Sequence, residues 1–395
     1  MPLKDDDPRK WEYKEHTRVK HIILKKYLET WINILGKDRK VCYFDCFAGR
    51  GKYSDGTEGS PLIALKAAAD LMSKRSHIKE IELTFIEKDK NNYQNLLNVL
   101  IEELKSNRDK YSGIKINEAI NDEFINAVPV ILKNYKKLPP SFFFIDPFGF
   151  NGIPMKIIQN ILSIPKTEVF INFMIRDVNR FLNSPNHLHS IEELYGLDNV
   201  NTTIISKFPH LDRELALLEL YQQQLHEQAG VNYTFPFKVS EDEKKQTTYY
   251  LIHATNHPLG CEIMKEIMYN AGTRGRFGFL GPEEGQMALS NYDLKELKEY
   301  LMNTFSKQTV SFKEIILKTV DKTPFVKKEY KQALVELENE EKIFIEGKGA
   351  KGAISDKSMI YFGQNTDEQV KEKKEHTTQI ISDENKLAQA TLFDF

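Results

Sequence analysis

Three apolar runs in the first 150 residues each stop at an acid or a glycine turn. They are Tyr43-Phe-Asp-Cys-Phe-Ala-Gly-Arg-Gly-Lys52, Thr84-Phe-Ile-Glu87 and Phe142-Phe-Phe-Ile-Asp-Pro-Phe-Gly149. Runs that are apolar at successive positions, rather than at alternate ones, are strands covered on both faces, which is the habit of parallel sheets. Helical periodicity separates them. Val19, Ile22, Ile23, Tyr27, Trp31 and Ile34 recur at spacings of three and four, which predicts a helix over 12–36. Ser60-Pro61 opens a second helix, because proline is tolerated in a first turn. Strand and helix in alternation imply βαβ units with right-handed crossovers. Acids at the carboxyl ends of such strands mark the edge where ligands bind.

The expected strands are 40–45, 81–86, 114–118, 141–145 and 169–174, with helices over 60–72, 90–106 and from Pro154 onward. Residues 176–210 show little periodicity and read as an insertion. A helix over 211–228, an antiparallel pair at 232–239 and 247–254, and a helix over 258–269 complete this part. The last third differs. Helices at 294–305, 312–320 and 327–339 precede a hairpin of 342–346 and 358–362, the pattern of a winged helix. The expected organisation is an α/β Rossmann-like domain over 1–282, a winged-helix-like α+β domain over 290–363, and a flexible polar tail over 364–395.

Net charge is −2 over 395 residues, so any basic surface for nucleic acid must be local. Cys42, Cys46 and Cys261 match no metal spacing, and two of them lie in or just after the first strand, which favours a reduced setting. The amino-terminal residues are charged, and no apolar run approaches a bilayer span. The chain reads as a soluble cytoplasmic protein.

The turn Asp45-x-x-x-Gly49-x-Gly51, read with Glu87, is a nucleoside-binding pattern. An acid ending the second strand accepts hydrogen bonds from ribose hydroxyls. The span from Gly49 to Glu87 is 38 positions, longer than the roughly 20 of a dinucleotide fingerprint, and the third glycine is missing. Both points disfavour a pyrophosphate cofactor, and with it a nicotinamide oxidoreductase. They suit S-adenosylmethionine, which has no phosphate to place at a helix N-terminus.

Asp146-Pro147-Phe148 ends the most apolar strand. A base's exocyclic amine donates hydrogen bonds, and the Asp146 carboxylate and Pro147 carbonyl are acceptors for it. Phe148 or Phe150 is the aromatic on which an extruded base would stack. The bland alternative is a strand-terminating Asp-Pro turn.

These segments, together with Glu15-His-Thr-Arg-Val-Lys-His21 and Gly59-Ser-Pro-Leu-Ile-Ala64, resemble the three-Cys-motif partner proteins over about the first 270 positions. That family looks like class I S-adenosylmethionine-dependent methyltransferases, and its genomic neighbour carries a cysteine motif typical of radical chemistry. A more distant resemblance is to the enzymes that methylate one adenine of large-subunit ribosomal RNA. By these likenesses Lys20 and His21 contact the methionine end of the cofactor. Asp45, Phe47, Ala48, Gly49 and Gly51 form its turn, with Ser60, Glu87 and Asn121 around the nucleoside. Asp146, Pro147 and Phe148 form the catalytic turn, and Asp146 also borders the cofactor. Phe148 departs from those enzymes, which carry a second proline there.

His16 and His21 are five apart and share no helix face cleanly, so no metal is expected. Asn172 either faces the acceptor or caps a strand end. Gly272-Thr-Arg-Gly-Arg276 either grips phosphate or is a solvated loop. In the last domain Lys327, Lys328, Lys331, Lys348 and Lys351 suit DNA or RNA, but Glu329, Glu336, Glu338, Glu340 and Glu341 suit a protein partner equally well. The final Gln389-Ala-Thr-Leu-Phe393 resembles the peptide that docks bacterial sliding clamps. Two functions are therefore carried forward. One is methyl transfer to an exocyclic amine of a nucleic-acid base. The other is a non-catalytic adaptor of a three-Cys-motif protein.

Overall fold

The computed structural model describes residues 11–75, 77–135, 137–240, 247–272, 278–279 and 294–363. The chain forms two compact units, Met1–Gln286 and Met287–Phe395. The Gly272–Arg276 loop beyond Gly272, and the Gln389–Phe393 peptide, lie outside the described residues.

The first unit begins with α1 (Glu15–Leu35), followed by β1 (Lys40–Asp45), α2 (Ser60–Lys74), β2 (Glu80–Phe85), α3 (Lys90–Ser106) and β3 (Ile114–Ile116). Then come α4 (Phe124–Asn134), β4 (Ser141–Ile145), α5 (Met155–Leu162) and β5 (Thr167–Phe173). Three short helices follow, α6 (Ile175–Phe181), α7 (Leu188–Tyr195) and α8 (Val200–Lys207). The unit closes with α9 (Arg213–Glu227), β6 (Tyr233–Ser240), β7 (Thr247–Thr255), α10 (Pro258–Ala271) and β8 (Gly278–Phe279).

The strands form one sheet in the order β3-β2-β1-β4-β5-β7-β6-β8. β1 to β5 are parallel, and β7 runs antiparallel between β5 and β6. This is a mixed, Rossmann-like α/β sheet. Strand order reverses between β1 and β4, so the crevice that such sheets use for ligands opens at the carboxyl ends of these two strands. Asp45 pairs with Phe144, which places Asp146 two residues further along the neighbouring strand.

Both faces are covered, as the continuous apolar runs require. Phe142 turns toward α1, with its ring 5.4 Å from Tyr27 and 5.8 Å from Trp31. Phe143 turns the other way, stacks on Phe44 at 4.3 Å, and joins the core built by α4, α5 and α9. The buried stripe of α1 is wider than its sequence period suggests. Leu24, Leu28 and Ile32 are buried while Ile34 is exposed, because α1 packs on both α2 and α10.

Two stretches depart from the sequence expectation. α4 carries Pro129 in its interior, a residue that removes a helical hydrogen bond and hides the helix from pattern reading. The supposed insertion at 176–210 is α6, α7 and α8, each of about two turns, too short to establish a period. Their Val178, Ile191, Leu194 and Val200 belong to the main core.

The second unit comprises α11 (Leu294–Thr304), β9 (Thr309–Ser311), α12 (Phe312–Thr319), α13 (Lys327–Asn339), β10 (Ile343–Glu346) and β11 (Met359–Phe362). Its strands form a three-stranded antiparallel sheet in the order β10-β11-β9. Three helices and this sheet make a winged helix; β9 is the strand that the sequence did not suggest. Ser311 and Glu314 fix the start of α12 by a reciprocal capping box, with Glu314 N–H donating to Ser311 Oγ at 3.2 Å and Ser311 N–H to Glu314 Oε2 at 2.8 Å. No helix among the described residues is long and apolar enough to cross a membrane.

Candidate functional site

Asp146 stands just past β4 at the switch point. Its Oδ2 accepts from Lys20 Nζ of α1 at 2.5 Å, and its Oδ1 accepts from Asn172 Nδ2 of β5 at 2.7 Å. Lys20 is almost wholly enclosed, and its ammonium also lies 5.6 Å from the centre of the Tyr249 ring. The carboxylate is thus fixed from two sides by groups 126 and 26 residues away in sequence. Asn172, weighed in the sequence as either acceptor-facing or a cap, is a direct partner of Asp146. Its amide orientation follows from that bond and leaves Asn172 Oδ1 buried without a partner.

Asp45, at the end of β1, is wholly buried. Tyr43 OH donates to its Oδ2 at 3.4 Å, while Oδ1 has no partner. Burial pushes its pKa up to about 7, with the nearby Asp146 charge adding to the rise; the Ser60 hydroxyl and the Phe47 N–H pull the other way. The folded state therefore holds a proton that the unfolded chain gives up near the ordinary carboxylate value of about 3.9. The stability this group contributes is full below about pH 4 and is lost as pH rises toward 7. We expect the stability difference between Asp45→Asn and wild type to widen, in favour of the variant, by on the order of a few kcal/mol between pH 4 and 7. Urea midpoints across that range measure it, and a constant difference contradicts the assignment.

Glu87 closes the glycine turn. Gly49 N–H donates to its Oε2 at 2.9 Å and Asp89 N–H to its Oε1 at 2.8 Å. Burial raises the Glu87 pKa, opposed by these two backbone bonds. Asn121 donates to the carbonyls of Glu87 and Lys88 at 2.8 and 3.0 Å, so it latches the loop behind the acid. Ala48 N–H bonds the Ile86 carbonyl at 2.9 Å, and Phe47 stacks on Phe124 of α4 at 5.6 Å.

The chain's own packing requires these glycines. Both hold positive φ, 62° at Gly49 and 84° at Gly51. A Cβ at Gly49 would meet the Trp11 ring at 2.9 Å, and one at Gly51 would press on Leu96 and Val99 of α3 at 3.3 Å. The chain's own packing, rather than approach of a ligand alone, excludes side chains there.

Trp11 introduces residues that sequence reading missed. Its ring packs edge-on to Phe148 at 5.4 Å, and the Arg50 guanidinium lies 5.8 Å from it. Tyr53 lies 4.9 Å from Tyr13 and 5.8 Å from His21. These aromatics join the glycine turn to the Asp146 loop. Their signal in sequence is Trp11 and Tyr13 amid charged residues, with Tyr53 directly after the glycine turn. His21 sits within this cluster; burial, and then the Lys20 charge, lower its pKa to about 3, so it is a neutral ring. Its Nδ1 has no partner. Phe148 and Phe150 differ in burial. Phe150 packs on Phe181 and His187 in the core, whereas Phe148 is 61% exposed beside buried Pro147.

The three cysteines are free and buried. Burial pushes the Cys42 thiol up to about 12 and Cys46 well above its usual range. No cluster of three metal-ligating side chains occurs among the described residues.

In the winged helix several lysines are paired with acids. Lys348 pairs with Glu338, Lys327 with Asp356 at 3.0 Å, and Lys298 with Glu336 and Glu340 at 3.0 and 2.7 Å. Lys327 and Lys331 also lie over the Phe312 ring.

Comparison with known proteins adds the following. The family model of a GMT-like wHTH domain matches residues 280–348. No curated protein matches the chain. Similar solved structures include the O-methyltransferase TomG from Streptomyces achromogenes, involved in tomaymycin synthesis and in complex with SAM (10% identity, 62% of this chain and 92% of that one, TM-score 0.32). Others are the O-methyltransferase from Bacillus cereus in complex with SAH (8% identity, 63% and 100%, TM-score 0.29) and precorrin-6y C5,15-methyltransferase from Geobacter metallireducens (12%, 58% and 87%, TM-score 0.29).

Proposed function

We propose that the first unit is an S-adenosylmethionine-dependent methyltransferase acting on an exocyclic amine of a nucleic-acid base. The observation that carries this is Asp146, fixed between Lys20 and Asn172 at the switch point. A carboxylate offers about four lone-pair sites. Two are taken, which leaves acceptors for an amine N–H. With the Pro147 carbonyl as a second acceptor, these bonds draw the amine's lone pair out of conjugation with the ring and aim it. Phe148, exposed at the rim, stacks the base.

The residues present suit the cofactor. Asp45 Oδ1 and Asn172 Oδ1 are buried oxygens without a partner, which supports their receiving an ammonium such as that of a methionine moiety. Glu87 keeps lone pairs for ribose hydroxyls beyond those given to Gly49 and Asp89. His21, being neutral, adds no charge beside a sulfonium. When bound, S-adenosylmethionine supplies an electrophilic methyl group. Lys20, spent on Asp146, orients the carboxylate in this reading and contacts the methionine end only secondarily.

The winged helix supports nucleic acid as the acceptor. The pairing of Lys327 and Lys348 with acids favours a second reading, in which that unit binds a protein such as a three-Cys-motif partner, and the chain is an adaptor in the cytoplasm. Incubation with radiolabelled S-adenosylmethionine, separation of DNA, RNA and protein, and digestion to nucleosides tests both. Label in an N-methylated nucleoside is the expected result. No cofactor affinity and no labelled pool, with a stable complex with the cysteine-motif protein, overturns it in favour of the adaptor.

A further inference from the structure

A cleft of about 340 Å³ opens past the carboxyl end of β5, lined by Arg176, Asp177, Arg180, Arg213, Glu214 and Thr247, with Asn179 at its wall. Its place in the fold is fixed by register. Asn172 and Phe173 of β5 pair with Leu251 and Tyr250 of β7, so Thr247, which opens β7, lies past the carboxyl end of β5. Arg176 follows Asn172 by four positions at the start of α6. The cleft therefore shares the sheet edge with Asp146.

Three guanidiniums from α6 and α9 face two carboxylates. Glu214 is already satisfied, accepting from Thr247 Oγ1 at 2.6 Å and Tyr250 OH at 2.9 Å, with Lys238 Nζ 3.5 Å away. Asp177 lies between Arg176 and Arg180, half-buried. The balance left in the cleft is positive. Arginine forks match the paired oxygens of a phosphate, and converging forks hold one more firmly than a point charge does. We infer that this cleft holds a backbone phosphate of the nucleic-acid acceptor, next to the nucleotide whose base reaches Asp146. Phosphate contacts of this kind set position along the strand and leave base choice to the pocket.

This inference rests on the nucleic-acid reading above, and one experiment separates the two. Fluorescence anisotropy of a labelled single-stranded oligonucleotide is followed across a salt series for the full chain and for Arg180→Ala/Arg213→Ala. Both of these side chains are exposed, which spares the fold. Losing charge-assisted bonds weakens binding roughly tenfold or more. Each lost phosphate contact makes the dependence of log K on log salt shallower by about 0.7. Cofactor affinity, measured by calorimetry, stays at the wild-type value and serves as the fold control. Arg180→Lys/Arg213→Lys restores the salt slope but only part of the affinity, because charge returns without the fork. Equal affinity and slope in wild type and the alanine variant overturn the cleft assignment while leaving the nucleic-acid reading standing. Wild type that binds cofactor but no oligonucleotide overturns both. Displacement of the oligonucleotide by poly-glutamate at equal charge concentration marks an acidic-protein groove instead, and also overturns the proposal.

Discussion

Asp146→Asn lowers methyl transfer by about 10²- to 10³-fold while cofactor affinity stays within about threefold of wild type. The variant keeps the volume of the side chain. It replaces one acceptor oxygen by a donor and removes the charge that faces the amine. Single-turnover transfer and binding calorimetry on the same preparation separate the two effects. Transfer within threefold of wild type removes Asp146 from the reaction. Alanine is the poorer test. Both substitutions remove the negative partner of Lys20, whose side chain is 8% exposed, but asparagine still offers its ammonium an amide oxygen and alanine offers none. Breaking a buried pair costs about 3–5 kcal/mol, so in the alanine variant lost activity would be confounded with lost fold.

Glu87→Ala weakens cofactor binding by roughly 100-fold or more and lowers the melting temperature. Two causes combine. The ribose loses its acceptor, and the N–H groups of Gly49 and Asp89 lose theirs. A buried donor without a partner costs about 1–3 kcal/mol. Glu87→Gln retains one carbonyl oxygen and falls between the two. Calorimetry with S-adenosylmethionine and thermal unfolding report the outcome. Unchanged affinity in the alanine variant means that the glycine turn serves packing alone.

The sheet and its acids were legible because sequence and structure obey one constraint. Strands covered on both faces must be apolar throughout, so Asp45 and Asp146 stand out where the runs end, as does Glu87 just after one. The bond from Lys20 to Asp146 was not legible from spacing, since it spans 126 residues; resemblance alone pointed to Lys20, and for a different contact. Asn172 was legible as a strand end, but its role depends on β5 lying beside β4. The aromatic cluster of Trp11, Tyr13, Tyr53 and Phe148 comes from three separate segments with no shared period. α4 was masked by Pro129, and α6 to α8 by their shortness. In the winged helix the elements were clear, whereas the pairing of Lys348 with Glu338 depends on the hairpin folding back on α13.

The burial of Cys42 and Cys46 has a consequence for how this protein meets oxidants. Both thiols lie on or beside the strand that leads into the glycine turn, and both are held far from the thiolate form that peroxide and alkylating reagents attack. Cys261 is equally enclosed. These thiols are therefore shielded in the folded state, and treatment of the folded protein with iodoacetamide should leave them unmodified until it unfolds. Thiol labelling then becomes a clock for opening of β1 and α10, with no engineered probe required.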